Sequence, residues 1–571
     1  MIRYLDFKEA KCKDCYKCLR ECPVKAIAVI NHQAKIVDEK CILCGTCTRI
    51  CPQNAKIVHS ERENVENLLR NGSKVFCSLA PSFVSSFGVL NLQTMKDALL
   101  KLGFFDVEET AVGAKLVSEK YMEQLDSNEY KNYITSSCPA VNNLIKKYYP
   151  KALEYLAKVD SPMVAHAKLI KQRYKDCKIV FIGPCIAKKK EAYESGIIDG
   201  VLTYEDLYQM LVDNNIKLVN SDTNETLGNK ARYYPISTGI IKSFDHTNEK
   251  YEYISVDGLQ RCMDILANIE NLDNVFLEMN ACEYACINGP CSLKDSSYSL
   301  VGNSEVRKYA KSNLVNGNID IACADEVDIE TNYNAEIVNK VVTEDEIKAI
   351  LALTGKYKKE DELNCGACGY SSCREKAYNV ACGYADVEMC LPYMRAKAEN
   401  MSYEIIHNSP NGIVIVDYDL NIIDINKQAK RILGIKKDEV KGEPLVDYYN
   451  PTDYVTAMTT QKAVKTDVMI DKTSVVAEST IICLPEYKIM FGIFIDITEG
   501  VNKDRKLRKM RLDTLKTTDA VIEKQMRVAQ EIASLLGETT AETKVALVNL
   551  KKTLKDREQE DDNYWFRLYS T

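Results

Sequence analysis

Sixteen of the twenty-three cysteines in this chain stand in four groups, and each group needs a fold that brings four thiols to one place. Two groups are near copies. Residues 12 to 23 read CKDCYKCLRECP and residues 41 to 52 read CILCGTCTRICP, an internal repeat of C-x2-C-x2-C-x3-C-P. A third group, Cys365, Cys368, Cys373 and Cys390, has spacings of x2, x4 and x16. The fourth is dispersed: Cys138 in TSSCPA, Cys185 in GPCIAKK, and Cys282 with Cys286 in ACEYACING. Four soft thiolates converging from different directions suit a [4Fe-4S] cubane, and loops supply that arrangement. Cys282 and Cys286, four residues apart, can approach one cluster together, and the following Asn288-Gly289 permits a sharp turn. Buried packing is the alternative for a C-x3-C pair alone, because free cysteine is among the most buried residue types. For the compact groups the alternative is structural zinc, whose sites usually pair two short C-x2-C units without a third cysteine and a Cys-Pro end. Cys77, Cys177, Cys262, Cys291, Cys323, Cys382 and Cys483 fit no ligand spacing and read as packing residues.

The repeat resembles the bacterial two-cluster ferredoxin signature, in which the fourth cysteine of each run serves the other cluster. The resemblance implies one [4Fe-4S] cubane on Cys12, Cys15, Cys18 and Cys51 and a second on Cys41, Cys44, Cys47 and Cys22. The group at Cys365, Cys368, Cys373 and Cys390 resembles the small [4Fe-4S] module of corrinoid iron-sulfur proteins and of some hydrogenase relatives, with a zinc ribbon as the alternative. Gly366 and Gly369 would let backbone amides approach its sulfurs and tune its potential. The dispersed set resembles the H-cluster motifs of [FeFe]-hydrogenases. There the thiolates matching Cys138, Cys185 and Cys282 hold a [4Fe-4S] cubane. The one matching Cys286 bridges it to a diiron subsite with CO and CN ligands. The same resemblance implies cofactor-binding roles for Pro81, Ser82, Pro184, Lys188 and Asn280, with Lys188 donating to a cyanide. Cys286, Lys188, Ser137 and Glu191 are the implied catalytic residues.

Departures from the family pattern bear on proton transfer. Ser137 stands where efficient enzymes carry the cysteine that donates protons, and a serine hydroxyl is far less acidic than a thiol. Tyr121 and Gln124 fall at the positions of two relay glutamates, with Glu119 and Glu123 nearby on the same helical segment. Asn280 and Met163 replace the methionine and glutamine that usually line the diiron pocket, and Gly183 replaces a methionine before Pro184. These changes predict an altered pocket and low turnover.

Residues 401 to 500 carry a different pattern, GIVIVDYDLNIIDINKQAKRILG, which predicts strand, turn, strand and helix. It resembles a PAS sensor domain, marked by Gly412, Asp417, Ile423, Asn426 and Gly434 and closed by GIFIDIT with Asp496 and Thr498. His407 lies at its edge, and Cys483 lacks the motif of a flavin-adduct cysteine. From Arg505 to Leu536 the chain reads as helix, with Leu515, Ile522, Ala529 and Leu536 every seven residues and Met526 and Ala533 four after their neighbours. After Gly537, Thr539 and Glu542 offer a capping box to a second helix through Val545, Val548 and Leu554. Such helices pack back on the protein or form a dimer or partner surface.

At 571 residues the chain predicts roughly three to five domains. The expected fold is multidomain α/β and α+β: a ferredoxin-like two-[4Fe-4S] domain at 1–58, an α/β H-cluster domain at 72–353, a small [4Fe-4S] module at 354–400, a PAS domain at 401–500 and output or dimerisation helices at 501–571. Apolar runs such as KVFCSLAP, YITSSCPA and KIVFIGPC, alternating with helical stretches, predict parallel sheets with ligands beyond their carboxyl ends. A net charge of −7 without a basic block argues against nucleic acid, and no stretch reaches the ~18 apolar residues that cross a bilayer. The opening MIRYLDFKEAKCKDC lacks an apolar signal region, so the expected location is the cytoplasm, where many cysteines mean metal or redox sites. The function these expectations describe is a sensory [FeFe]-hydrogenase of low turnover, with an H-cluster and three accessory [4Fe-4S] clusters. Its partners would be H2 and protons, a ferredoxin-like redox partner, maturation proteins, a signalling kinase or phosphatase, and a second copy of the chain. The competing readings are a ferredoxin-linked bidirectional hydrogenase and an iron-sulfur assembly or electron-transfer factor without the diiron subsite.

Overall fold

The computed structural model describes residues 3–220, 229–294, 298–312, 327–336, 338, 340–437, 439–536 and 545. They form two compact units, Met1–Tyr393 and Met394–Thr571.

The first unit begins with the cysteine repeat. Each copy places a short helix at the same point, Lys17–Arg20 and Thr46–Ile50, and each helix starts from a left-handed residue, Tyr16 at φ 56° and Gly45 at φ 73°. Strands Leu5–Phe7 and Lys56–Val58 pair antiparallel, and strands Ile27–Ile30 and Gln33–Ile36 form a hairpin turned by Asn31 and His32, both at positive φ. Positive φ at both central residues suits the right-handed twist of a two-residue hairpin.

Two parallel sheets follow. One has four strands in the order Asp106–Glu109, Val75–Leu79, Lys178–Gly183, Gly200–Thr203; the other has three in the order Glu252–Asp257, Val275–Asn280, Tyr133–Ile134. Their central strands, VFCSL and VFLEMN, are buried along their whole length, as parallel strands covered by helices must be. The run YITSSCPA yields only a two-residue strand. Thr135 N–H still donates to Leu277 O at 3.0 Å, but Ser136 N–H turns away to Tyr121 Oη at 2.9 Å, and Pro139 opens helix Pro139–Tyr148.

The segment around Cys365–Cys390 docks on the cysteine repeat. Val29 N–H donates to Tyr384 O at 3.0 Å, Lys25 Nζ to Gly369 O at 3.0 Å, and Tyr370, Ala385 and Met389 share one core with Leu5, Leu19, Val141 and Leu277. Gly369 has φ 91°, and a Cβ there would stand 3.1 Å from Leu19 Cδ2. This glycine therefore serves close packing against Leu19. Cys390 is followed directly by helix Leu391–His407, along which the chain passes into the second unit.

The second unit is an antiparallel five-stranded sheet in the order Ile422–Ile425, Gly412–Asp417, Ile489–Asp496, Val475–Leu484, Val464–Ile470. Asn426 holds its first crossover: Oδ1 accepts from Ala429 N–H and Ile413 N–H, while Nδ2 donates to Ile406 O and Asn411 O. Gly434 caps helix Lys427–Leu433 at φ 71°. The register sets which isoleucines of the second strand are buried. Ile422 and Ile425 enter the core, whereas Ile423 is exposed, because the strand pairing shifts between Ile415 and Val416. Tyr449, Tyr454, Met490 and Phe494 fill the interior, and a Cβ at Gly492 would meet Tyr454 Oη at 2.1 Å. His407 lies 3.5 Å from Asp424, and Cys483 Sγ 3.4 Å from Tyr418 Oη.

Helix Thr498–Leu536 is continuous over 39 residues. Leu515, Ile522, Met526 and Ala529 are half-buried and Leu507, Met510, Val521 and Val528 exposed. The capping box at Thr539 and Glu542, Gly537, Val548, Leu554 and also Cys323 lie outside the described residues.

Candidate functional site

The carboxyl ends of both parallel sheets face one cavity of about 110 Å³. Cys138, Cys185, Cys282 and Cys286 all line it. Cys138 precedes helix Pro139–Tyr148, Cys185 lies between strand Lys178–Gly183 and helix Ala187–Ser195, and Cys282 follows strand Val275–Asn280. Cys286 reaches the cavity because Tyr284 at φ 62° and Ala285 at φ 58° turn the chain back within the C-x3-C pair. Two successive left-handed residues that are not glycine form a costly turn that surrounding structure must hold. A second turn follows at Asn288-Gly289, where Gly289 N–H donates to Cys286 O at 3.0 Å; Gly289 has ordinary φ, and its missing side chain admits Pro184, whose Cβ is 2.8 Å from where a Cβ would lie.

Cys286 keeps accessible surface because it faces the cavity. Burial, followed by the other three thiols, pushes the Cys282 pKa far up; burial pushes Cys185 up to about 11, with Cys138 adding to it. Thiols crowded this way resist ionising on their own, and a bound cationic iron cluster is the group that would hold them as thiolates. The donor set therefore fits a cluster.

The other expected residues divide by position. Pro81, Ser82, Pro184, Lys188, Asn280 and Ser137 line the cavity, whereas Glu191 does not; it stands behind Lys188 and accepts from its Nζ at 2.7 Å. Lys188 Nζ also lies 3.4 Å from Ser137 O. Ser82 Oγ is 2.7 Å from Tyr204 Oη, which donates to Ala80 O at 2.9 Å and so fixes the Ala80-Pro81-Ser82 corner. Asn280 Nδ2 donates to Asp257 at 3.1 Å. At Gly183 a Cβ would stand 2.8 Å from the Phe181 ring, so Phe181 fills the space that a side chain there would need. Met163 lines the same wall.

Around the expected proton path the structure places hydroxyls. Tyr121 Oη is 3.0 Å from both Ser137 Oγ and Ser136 Oγ, and burial raises its pKa. Gln124 Oε1 accepts from Tyr133 Oη at 2.8 Å, and Glu123 and Glu119 pair with Lys120 and Lys115 on the outside of the helix. Sequence reasoning missed another connection. Thr110, in the cavity wall, is 2.8 Å from Ser78 Oγ; Ser78 is 2.8 Å from His166 Nδ1; His166 Nε2 is 3.3 Å from Glu108, which Arg173 meets at 2.6 Å nearer the surface. Burial raises the Glu108 pKa, but His166 and Arg173 outweigh it and hold the carboxyl at about 2. His166 alone, without its partners from two other segments, gave no signal in the sequence.

Two further cavities are lined by four cysteines. Cys22, Cys41, Cys44 and Cys47 share one, and Cys44 also lines the large cavity. Cys365, Cys368, Cys373 and Cys390 share the other, which Cys382 does not line. Cys12 and Cys51 lie close enough to Cys18 to add to its raised pKa, after burial, and Cys15 is exposed. Among the described residues no three His, Cys, Asp or Glu side chains meet the closer spacing of a single metal ion. None of the described helices is long and apolar enough to cross a membrane.

Comparison with known proteins matches four stretches of the chain. Residues 73–290 match the family model of the iron only hydrogenase large subunit, C-terminal domain; residues 5–65 match a 4Fe-4S dicluster domain, 361–392 a putative Fe-S cluster domain and 400–490 the PAS fold. No curated protein matches the chain. Among solved structures, an [FeFe]-hydrogenase studied for oxygen inactivation of its H cluster 2Fe subcluster is 16% identical, with 49% of this chain and 100% of that one covered and a TM-score of 0.38. An apo [FeFe]-hydrogenase variant from Chlamydomonas reinhardtii is 16% identical over 48% of this chain and 100% of that one, with a TM-score of 0.37. The PAS domain of a nitrogen regulation protein from Vibrio parahaemolyticus is 14% identical over 17% of this chain and 98% of that one, with a TM-score of 0.15.

Proposed function

We propose that this [FeFe]-hydrogenase-like protein with a PAS domain is a sensor whose H-cluster, on Cys138, Cys185, Cys282 and Cys286, binds or slowly and reversibly oxidises H2. One observation supports this reading most: thiols from three distant segments surround one cavity that also has a buried lysine in its wall. When bound, the cluster would supply the reversible exchange of H2 with two protons and two electrons.

The residues around it have separable tasks. Lys188 offers an ammonium donor to an anionic ligand, and Glu191 offsets its charge. Tyr204 orients Ser82, while Pro81, Pro184, Phe181 and Met163 keep the wall apolar. A proton leaving through Ser137 meets a serine and then a buried phenol, neither of which ionises near neutral pH, so transfer is slow. Electrons have a shorter way out, because Cys44 belongs to the wall of both neighbouring cavities. The exposed Cys15 edge of the repeat suits a ferredoxin-like partner. The long helix after the PAS sheet, with Leu507, Met510, Val521 and Val528 exposed along it, suits a homodimer that passes the signal to a kinase or phosphatase. Maturation proteins would install the diiron part, and the cytoplasm is where such a cysteine-rich chain keeps its thiols reduced.

Infrared spectroscopy of matured protein tests the central point. Metal-bound CO and CN bands that change under H2 are the expected result; their absence would leave the assembly or electron-transfer reading in place. High steady-state H2 evolution would favour a bidirectional catalytic hydrogenase instead. The sensor claim makes its own prediction, since a ligand must bias two states to signal. H2 should change hydrogen exchange in residues 401–536, and identical exchange with and without H2 would remove the claim.

A further inference from the structure

Two buried ammonium groups stand in the wall of the Cys365, Cys368, Cys373 and Cys390 cavity. They belong to Lys356 and Lys376, which are 8% and 5% exposed. Lys356 Nζ donates to Thr354 O at 3.0 Å and lies 3.5 Å from Cys390 Sγ; Lys376 Nζ donates to Val387 O at 2.9 Å. None of these partners is a carboxylate. Burial lowers the Lys376 pKa, and Cys390 and Cys368 oppose that shift, so the thiols are within electrostatic reach.

A buried ammonium without a counter-charge is costly, and two on one wall repel each other as well. Asp361 is the carboxylate within electrostatic reach of Lys356, and for Lys376 the compensation comes from the cavity itself. A cubane held by four thiolates is a dianion that becomes a trianion on reduction, so fixed cations beside it favour the reduced form. The neighbouring cavity of Cys22, Cys41, Cys44 and Cys47 has no lysine in its wall: Lys147 stands behind it and spends its Nζ on Cys41 O at 2.9 Å, while Lys56 reaches Cys18 of the other repeat group singly, and Lys188 in the large cavity is already paired with Glu191. The third cavity is also well connected. Tyr370 lines it and shares one buried core with Leu19 and Cys22 of the repeat.

We propose that Lys356 and Lys376 make the third cluster the electron trap of this chain by raising its reduction potential above those of the clusters in the repeat. Electrons released at the large cavity then collect beside Cys390, the residue that precedes helix Leu391–His407 and the PAS sheet. The balance is simple: H2 gives two protons and two electrons, one electron reduces the third cluster, and the other stays on a repeat cluster or leaves to the redox partner. The proposal rests on the H2 reading only for the source of these electrons.

The test is a redox titration followed by electron paramagnetic resonance. It uses the full chain with its [4Fe-4S] clusters reconstituted from iron and sulfide, no diiron part, and dithionite as reductant. The signal lost in Cys373→Ser identifies the third cluster, and it should be the first reduced as the potential falls. Lys356→Met and Lys376→Met should each lower its reduced-to-oxidised ratio at fixed potential at least tenfold, which is 59 mV for a one-electron couple. Lys376→Arg, which keeps the charge, should retain the parent midpoint, and glutamine variants should repeat the methionine result. A third cluster reduced after the repeat clusters, or a midpoint unmoved by both methionine variants, would overturn the proposal. Because the titration involves no H2 and no diiron subsite, its failure would leave the infrared test unaffected, and the converse holds.

Discussion

Once both proteins carry the complete cluster, a Ser137→Cys variant should turn over H2 about a hundredfold faster than the parent chain, at the lower end of what a placed general acid or base contributes. Ser137 lines the cavity, and its hydroxyl is 3.0 Å from the buried Tyr121 phenol. Serine and cysteine differ little in shape, but the thiol ionises several units lower, so it gives and takes protons that the hydroxyl holds. Loss of the Tyr121 contact should cost only about 1 kcal/mol. Steady-state H2 evolution and uptake, normalised to the intensity of the infrared CO bands, would measure the gain. An unchanged rate would mean that protons leave elsewhere, and the run from Thr110 through Ser78 and His166 to Glu108 would then be the route to interrupt.

Lys188→Met should destabilise the cluster-free chain by about 3 kcal/mol and also abolish loading of the diiron part. The Lys188 and Glu191 side chains are 11% and 16% exposed and meet at 2.7 Å. Removing the ammonium alone leaves a carboxylate in a poorly hydrated place, which costs more than the pair was worth. Replacing both, as Lys188→Met with Glu191→Leu, should therefore restore most of the lost stability without restoring the cluster. Denaturant unfolding of the four proteins forms a double-mutant cycle, and simple additivity of the two losses would rule out the pairing. Cluster loading, read separately by infrared, distinguishes a stability defect from the loss of a cyanide donor.

Much of the architecture is legible in the chain because its strongest signals are local. The C-x2-C-x2-C-x3-C-P repeat marks two equivalent short helices, with left-handed starts at Tyr16 and Gly45. The runs KVFCSLAP and KIVFIGPC give buried parallel strands, and the alternation in GIVIVDYD gives a strand of the antiparallel sheet. Where reading failed, a distant group had intervened. The strand in YITSSCPA stops early because the Tyr121 hydroxyl captures the Ser136 amide from another helix. The turn between Cys282 and Cys286 falls on Tyr284 and Ala285, residues with no turn preference, because the chain must return to the cavity there. Ile423, one of the residues that mark the PAS pattern, is turned outward by the pairing shift at Ile415 and Val416, which nothing local in the sequence announces.

The sequence by itself determined which cysteines stand in groups and at what spacing, because covalent connectivity limits how far apart neighbouring thiols can lie. It also determined which segments become buried strands, through the periodicity of their apolar residues. Only the tertiary structure decided which charges and hydroxyls face those thiols: Glu191 behind Lys188, Tyr121 beside Ser137, Lys356 and Lys376 beside Cys390. Those pairings depend on burial and on partners far away in the chain, and burial is what turns an ordinary lysine or tyrosine into one that sets a potential or holds a proton.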